Sequence, residues 1–502
     1  MSVPWATPLP LATLLPWLVV LPLVGAALVP IVAVGRPRRA GRFTLLVVLL
    51  TVAVAAGLVW HLHVMGPFSV SLGGWAAPYG IELRFDRFGA WTLPLAGLFA
   101  FVVPFSWRYL DGTLPPERWA VFYALLLLNL GGLLGFSVTG DLFNLFVAME
   151  VVSLSSYALV AVAGRGVAAW AALKYLLLGA VSSLLVLFAV GLLFTLTGSL
   201  NLLDVTIRLA AGGPSPAATL ALASLVVAFM VKAALFPLHV WLPDAHAIAP
   251  SPVSAVLSGL VVKVGIVGLL RVLQLAAGSG VPLEVFSQVL MLLGAVAIVM
   301  GAFLAIFQDD IKLMLAYSTI SNIGYIVLGL GLASPFALIG GSVHVFNHAL
   351  IKVTLFLAAG SIIHQTGFRT LSDLRGVARV MPQTSAAMAI GAVSIVGLPP
   401  TAGFVCKWYI ALGAFEAGQS GYGFALVFGA LFIFVYYVRM LNAFYFQQPV
   451  RPEVAAAREP PWSMRGPVLV LAALCLIMGI LGGIPLAFVE PAVTDLLLSM
   501  GR

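Results

Sequence analysis

Five lysines lie inside apolar stretches of this 502-residue chain: Lys174, Lys232, Lys263, Lys352 and Lys407. A lysine at the centre of a transmembrane helix costs about 2.5–3.5 kcal/mol on insertion scales. A chain that keeps five of them uses them. On the spans read below, no arginine falls at mid-depth. Arginine hardly ever gives up its proton, whereas buried lysine exchanges one readily. A fixed counter-charge could be either residue; a group that must gain and lose a proton has to be lysine. The residue types therefore point to proton transfer.

Glu150, in the run G-D-L-F-N-L-F-V-A-M-E that begins just before Asp141, is the one acid near the middle of an apolar span. A lone carboxylate at that depth takes up a proton unless a cation faces it, and Lys232 is the cation expected to face it. A static pair that only orders two helices would leave the other lysines, which have no acids in reach, unexplained. His344, His348 and Lys352 recur at i, i+4 and i+8 and share one helix face. Imidazole and ammonium on one face can pass protons through intervening water. The competing readings are a pair of satisfied core histidines, or ligands of a membrane-embedded metal enzyme. Val345-Phe346-Asn347 supplies no acid and no third ligand is evident, so neither a metal nor a cofactor is expected. His239, His246 and Asp244 fall between Lys232 and Lys263. The histidines could bridge the two lysines or only pack between them, and Asp244 could cap a helix end. Lys174, six residues into its span, is either a relay partner or an edge lysine whose stem lets its head reach the aqueous boundary. Lys312 reads as a loop residue.

The elements that position these groups follow from composition. The chain is 62% hydrophobic and 8% charged, against about 25% charged for soluble domains. It reads as an all-α polytopic membrane protein embedded in a lipid bilayer. The net charge of +8 is spread over short loops without interleaved aromatics, which excludes a nucleic-acid surface. Cys406 and Cys475 lie in apolar runs and read as small buried residues, not a disulfide. No basic leader precedes the first apolar run, so a membrane span is expected there in place of a cleaved signal peptide.

A span takes about 20 residues. Fourteen are expected, near 11–34, 43–65, 88–108, 119–138, 141–163, 168–195, 217–247, 251–274, 284–306, 312–332, 336–363, 384–418, 422–446 and 467–490. The seventh holds Pro237 and Pro243, and the twelfth holds Pro399 and Pro400. Proline removes a helix hydrogen bond and clashes with the preceding turn, so both should be broken helices. Irregular backbone at membrane depth survives where protein or a wet cavity surrounds it. The alternation in Phe68–Leu72 and Ile81–Phe85 predicts a short extracytoplasmic hairpin over 67–87. With the N-terminus outside, inner segments hold fifteen basic residues, Arg165 and Lys312 among them, and outer segments hold five: Arg84, Arg87, Arg208, Arg271 and Arg502. The positive-inside rule then puts both termini outside, in the cell's inner (plasma) membrane.

A weak internal repeat is visible. Asp141 and Asp309 open spans, Tyr157 and Tyr325 follow at one offset, and Lys174 and Lys352 lie on the spans after these. A proline-broken span with Lys232 or Lys407 comes next, while Glu150 has Ser318 as its counterpart. Two five-span units are expected, spans 4–8 (119–275) and 9–13 (284–447), after an N-terminal part (1–118) and before a last span (467–490). Five is odd, so the second unit is inverted relative to the first. Each would offer a half-channel to one side, joined by lysines at mid-depth.

Three segments then carry a resemblance that spans nearly the whole chain: 140–160 (G-D-L-F-N-L-F-V-A-M-E-V-V-S-L-S-S-Y-A-L-V), 231–265 (V-K-A-A-L-F-P-L-H-V-W-L-P-D-A-H, continuing to V-V-K-V-G) and 397–409 (G-L-P-P-T-A-G-F-V-C-K-W-Y). The chain resembles the antiporter-like proton-translocating subunits. These are found in Mrp-type multisubunit sodium/proton antiporters, the membrane arm of respiratory complex I, and membrane-bound hydrogenases. The D-L-F-N-L-F form at 141–146 and the end after fourteen spans, without a long lateral helix, resemble the D-type component of the Mrp antiporters. The resemblance implies the inverted-repeat fold, other membrane subunits as partners, and protons and Na+ as the ions moved. It implies an ion pair of Glu150 with Lys232, a central lysine at Lys263, and relay residues at His344, His348 and Lys352. It also implies a terminal lysine at Lys407, a position that is glutamate in one complex I subunit. Lys174 departs from the pattern in sitting near the start of its helix. A redox-driven pump subunit is the alternative that the same chemistry implies.

Overall fold

The computed structural model describes residues 11–164, 166–213, 215–281 and 283–499. Arg165, Arg502 and both chain termini, on which the orientation expectation leans, lie outside the described residues. Helices α1 (Trp17–Ala33) and α2 (Arg38–Met65) lead into strands β1 (Phe68–Ser71) and β2 (Glu82–Phe85). Helix α3 (Arg87–Thr92) continues through a 3-10 stretch, Leu93–Leu98, into α4 (Phe99–Tyr109). Then come α5 (Trp119–Val138), α6 (Leu142–Ala161), α7 (Gly166–Thr197), α8 (Leu202–Gly212), α9 (Pro216–Lys232) and α10 (Leu242–Ile248). Helix α11 (Ser251–Val256) runs through a π stretch, Leu257–Val261, into α12 (Val262–Gly278). Helices α13 (Leu283–Ile306), α14 (Ile311–Leu332) and α15 (Pro335–Thr366) precede α16 (Pro382–Val396) and α17 (Ala402–Glu416). The chain continues with α18 (Ser420–Leu441), α19 (Pro452–Ala456), α20 (Trp462–Ile480) and α21 (Gly483–Ser499).

Among the described residues, twelve helical stretches are long and apolar enough to cross a membrane, and two shorter apolar helices, α9 and α16, stand where broken spans are expected. The last expected span, 467–490, is corrected: α20 stops at Ile480 and a turn at Leu481-Gly482 starts the separate helix α21. The short helix α8 was not anticipated. Its N-cap Asn201 accepts from Leu203 N and Asp204 N.

The hairpin forms with Phe68 opposite Phe85 and Ser71 opposite Glu82. It also anchors two connections, because the Glu82 carbonyl accepts from Gly140 N and its carboxylate from Asn201 Nδ2 at 2.8 Å. Asp141 caps α6 through Asn144 N, at 2.7 Å. Its counterpart is Asp310, not the expected Asp309: Asp310 caps α14 through Lys312 N and Leu313 N. Each cap residue pairs with a later connection, Asp141 with Asn201 and Asp310 with Thr370.

Both broken helices end in one way. After α9, Ala234 takes a left-handed conformation (φ 53°). There Ala234 N bonds to the Val231 carbonyl and Leu235 N to the Met230 carbonyl. After α16, Gly397 is left-handed (φ 91°), with Gly397 N on the Ser394 carbonyl and Leu398 N on the Val393 carbonyl. This is the Schellman arrangement, which satisfies the last carbonyls of a helix. In both places leucine follows the left-handed residue and a proline, Pro237 or Pro400, stands three positions on. The helix cannot resume before that proline.

Candidate functional site: a line of lysines and histidines in the bundle

The broken helix places Lys232 as the last residue of α9. Its Nζ donates to Ser153 Oγ at 2.7 Å and lies 3.7 Å from Glu150 Oε1. Ser183 of α7 joins the two. Its hydroxyl donates to Glu150 Oε1 and stands 3.4 Å from Lys232 Nζ, while Tyr157 Oη is 3.5 Å away. The expected Glu150–Lys232 pair thus forms within a hydroxyl cluster, Lys232 buried and Glu150 about one quarter exposed.

Lys263 is 1% exposed. Helix α12 carries it against α9 by close backbone approach: a Cβ on Gly265 would come within 2.2 Å of Ala233 N and 2.5 Å of the Phe229 carbonyl. Within the π stretch, the Ser258 carbonyl accepts from Lys263 Nζ at 2.9 Å. The other contact of Lys263 is His348 Nδ1, at 2.6 Å. A small void of about 20 Å³ beside Lys263 is lined also by Thr92 and Ser137, space for about one water.

His348 and His344 are fully buried with ring centroids 5.8 Å apart. His344 Nδ1 contacts Cys406 Sγ at 2.9 Å, and its Nε2 contacts Asn322 Oδ1 at 3.2 Å. One residue on from Cys406, the Lys407 ammonium donates to the carbonyls of Ile395 and Val396 at 2.7 and 3.2 Å. These are the last residues of α16, the negative end of its dipole. The same ammonium lies 4.3 Å above the Tyr325 ring, whose centroid is 6.1 Å from that of His344. Lys263, His348, His344 and Lys407 therefore follow one another across the second half of the bundle. Lys352 is fully buried and donates to the Leu315 carbonyl at 2.9 Å.

The remaining candidates separate. Lys174 forms a salt bridge with Asp244 at 2.7 Å, both side chains more than a third exposed. The expectation that lysines other than Lys232 lack acidic partners is corrected here, as is the capping reading of Asp244. Lys174 is the ninth residue of α7, whereas Lys352 is the eighteenth of the equally long α15, so the two are not counterparts. Among the described residues, neither His239 nor His246 hydrogen-bonds Lys232 or Lys263. His239 stacks on Phe236. His246 is fully buried, with the Leu242 backbone as the polar group beside its ring. Its charged neighbours are Lys312, Lys352 and Lys263.

Two residues escaped the sequence reading. Lys312, read as loop, is buried in the first turn of α14 and donates to the Ala249 carbonyl. Arg271, counted among outer-segment residues, is buried on α12. It sits 3.6 Å from Asp86 Oδ2 and over the Phe88 ring. Among the described residues, no three of His, Cys, Asp and Glu converge as a metal-binding group.

Residues 139–433 match the family described as NADH:quinone oxidoreductase/Mrp antiporter, transmembrane. The chain is 40% identical over 426 residues to NADH-quinone oxidoreductase subunit N of Desulforudis audaxviator, covering 82% of this chain and 85% of that protein. It is 29% identical over 444 residues to the D-type component of the Na(+)/H(+) antiporter of Bacillus subtilis, covering 88% of each. Among solved structures, a chain of the membrane-bound sulfane sulfur reductase, an archaeal respiratory membrane complex, superposes with a TM-score of 0.89 at 30% identity. That match covers 96% of this chain and 98% of that one. A chain of the Mrp complex from Dietzia sp. DQ12-45-1b gives 0.87 at 25% identity, covering 97% and 98%.

Proposed function

This chain belongs to the NADH:quinone oxidoreductase/Mrp antiporter membrane family, and on that footing we propose that it is the proton-translocating subunit of a multisubunit monovalent cation/proton antiporter. Protons move along Lys263, His348, His344 and Lys407, with Lys352 at the side of the line and Glu150–Lys232 as the control pair. The observation that carries this reading is the direct Lys263 Nζ to His348 Nδ1 contact, 2.6 Å long and fully buried. It continues toward His344 and Lys407 with no carboxylate in hydrogen-bond contact among the described residues. When Lys232 approaches Glu150 its charge is held; when it withdraws, the proton is free to pass inward. Moving one charge through 100 mV is worth about 2.3 kcal/mol, a scale that a changing ion-pair contact meets. Asp141 acts as a helix cap and Lys174–Asp244 as a peripheral pair. The matched helix ends at Ala234 and Gly397 support two inverted five-span units over 119–275 and 284–447. The arginine-rich start of α2 and the Arg108 end of α4 face the cytoplasm in a plasma membrane, and both termini face outward. Sodium is the cation of this reading, and its site is shared with partner subunits.

A second reading, a redox-driven proton pump subunit, is favoured by the 40% identity to an oxidoreductase subunit. Everted membrane vesicles containing the intact complex separate the two. An imposed pH gradient collapsed by added Na+ or K+ supports the antiporter; acidification that requires an electron donor and ignores both cations supports the pump. In either case Lys232→Ala and Glu150→Ala should abolish proton movement while the complex still assembles. Full activity in both variants defeats the mechanism.

A further inference from the structure

A cleft of about 250 Å³ lies away from the lysine line, between the starts of α2, α5 and α20 and the end of α4. Its polar lining is almost all donors. Arg38 and Arg42 come from the first turns of α2, and Arg108 from the last turn of α4. One carboxylate, Asp111, faces three guanidiniums. It pairs with Arg108 at 3.0 Å and with Arg38 at 3.6 Å, and among the described residues no ion pair forms with Arg42. Trp107 and Ser463 also line the cleft, and their polar atoms, Trp107 Nε1 and Ser463 Oγ, are buried without a protein partner among the described residues. An indole N–H can only donate. The indole lies against α2 because residue 41 is glycine; a Cβ there would stand 2.6 Å from Trp107 Nε1. A site with surplus positive charge and unspent donors asks for an anion with several acceptor oxygens.

The surroundings choose the kind of anion. Leu46, Leu49 and Leu50 are about half exposed and stand four, seven and eight residues after Arg42, on the same α2 face. The cleft thus continues into an apolar stripe down a membrane-spanning helix. We propose that this cleft binds an anionic phospholipid, its phosphate against Arg38, Arg42, Trp107 and Ser463 and an acyl chain along the leucine stripe. A soluble phosphate has no use for the stripe. Scattered interfacial arginines need no buried, unpartnered indole N–H. Basic pockets between membrane helices are general sites for such head groups, and the assignment does not depend on how the lysine line works.

The test uses the intact complex, stripped of lipid by detergent exchange and titrated with phosphatidylglycerol, phosphatidylcholine or inorganic phosphate, with bound molecules counted by native mass spectrometry. One phosphatidylglycerol per chain should bind saturably, and phosphatidylcholine at least tenfold more weakly. Inorganic phosphate should not compete at equal concentration. Arg38→Gln with Arg42→Gln should weaken binding about 30-fold, the ~2 kcal/mol of two basic residues at an anionic surface. Arg87→Gln, at the opposite end of the α3–α4 span from Arg108, should change nothing. If the double variant does not assemble, Trp107→Phe should still lose about tenfold through one charge-assisted hydrogen bond. Equal binding of both lipids, competition by inorganic phosphate, or undiminished phosphatidylglycerol in an assembled variant each overturns the proposal.

Discussion

Replacing His348 with alanine tests the centre of the lysine line. In the native protein Lys263 Nζ has two acceptors, the Ser258 carbonyl at 2.9 Å and His348 Nδ1 at 2.6 Å. The second is a direct contact, so the proposed transfer needs no intervening water there. Alanine deletes the imidazole ring from a fully buried position. The lost hydrogen bond to a charged group costs about 1.5–3 kcal/mol of stability, softened because the void is polar and can take up water. The cost to translocation is larger. Positioned acid–base groups contribute about 10²–10⁴-fold, and the lower end, about 2.7 kcal/mol of barrier, is expected because water still offers a slower route. Proton flux should be followed by a pH-sensitive dye in proteoliposomes of the whole complex. A loss of about 100-fold in His348→Ala, partly restored by millimolar imidazole, is the expected outcome. His348→Phe fills the space without a nitrogen and should show the loss without the rescue. Flux within twofold of wild type in His348→Phe would refute the reasoning, since the proton would then be bypassing the histidine altogether.

Three further outcomes follow from the geometry. A Cβ on Gly179 would stand 1.7 Å from Tyr157 Oη, so Gly179→Ala should displace the tyrosine beside Lys232, cost about 1–3 kcal/mol and lower the unfolding midpoint in detergent more than Tyr157→Phe does. The Lys174–Asp244 pair is over a third exposed on both sides, so a double-mutant cycle with Lys174→Met and Asp244→Asn should return under about 1 kcal/mol of coupling; a value above about twice that would make it a buried control element instead. Ala234 is a non-glycine residue at φ 53°, and Ala234→Gly should raise thermal stability by up to about 1 kcal/mol, with a lowered midpoint counting against the strain.

The parts of this architecture that sequence makes legible are those set by single residues. Long apolar runs must be helices in a bilayer, and Pro237 and Pro400 must break them. Glu150 is the one acid at depth, so a cation facing it is expected, with Lys232 the candidate. What stayed hidden depends on docking between distant segments. Lys312 is buried because the end of α10 presents the Ala249 carbonyl to it, and nothing near position 312 encodes that. Asp244 finds Lys174 across 70 residues of chain. Of the adjacent acids Asp309 and Asp310, only one can cap α14, and spacing alone could not choose. The π stretch at Leu257–Val261, which gives Lys263 its carbonyl, has no evident sequence sign.

The acceptors around the lysines explain why so few acids are needed. Lys263 is held by a carbonyl and an imidazole, Lys352 by a carbonyl, Lys407 by two carbonyls and a tyrosine face, and Lys312 by a carbonyl. A carboxylate beside a buried ammonium fixes its charge, because opposite charges attract strongly where water is excluded and separating them leaves an uncompensated ion. A carbonyl dipole stabilises the ammonium less and leaves the neutral amine with a smaller loss, so the proton stays exchangeable. Carbonyls become free for this purpose where a helix ends or widens, and the chain supplies such places: the end of α16 for Lys407 and the π stretch for Lys263. The irregular backbone is therefore a source of weak, neutral acceptors. The exception then gains meaning. Among the described residues, Lys232 is the buried lysine that faces a carboxylate, at 3.7 Å with a serine bridging the gap, and a single strong partner at one end of a line of weak ones is where the occupancy of the whole line can be set.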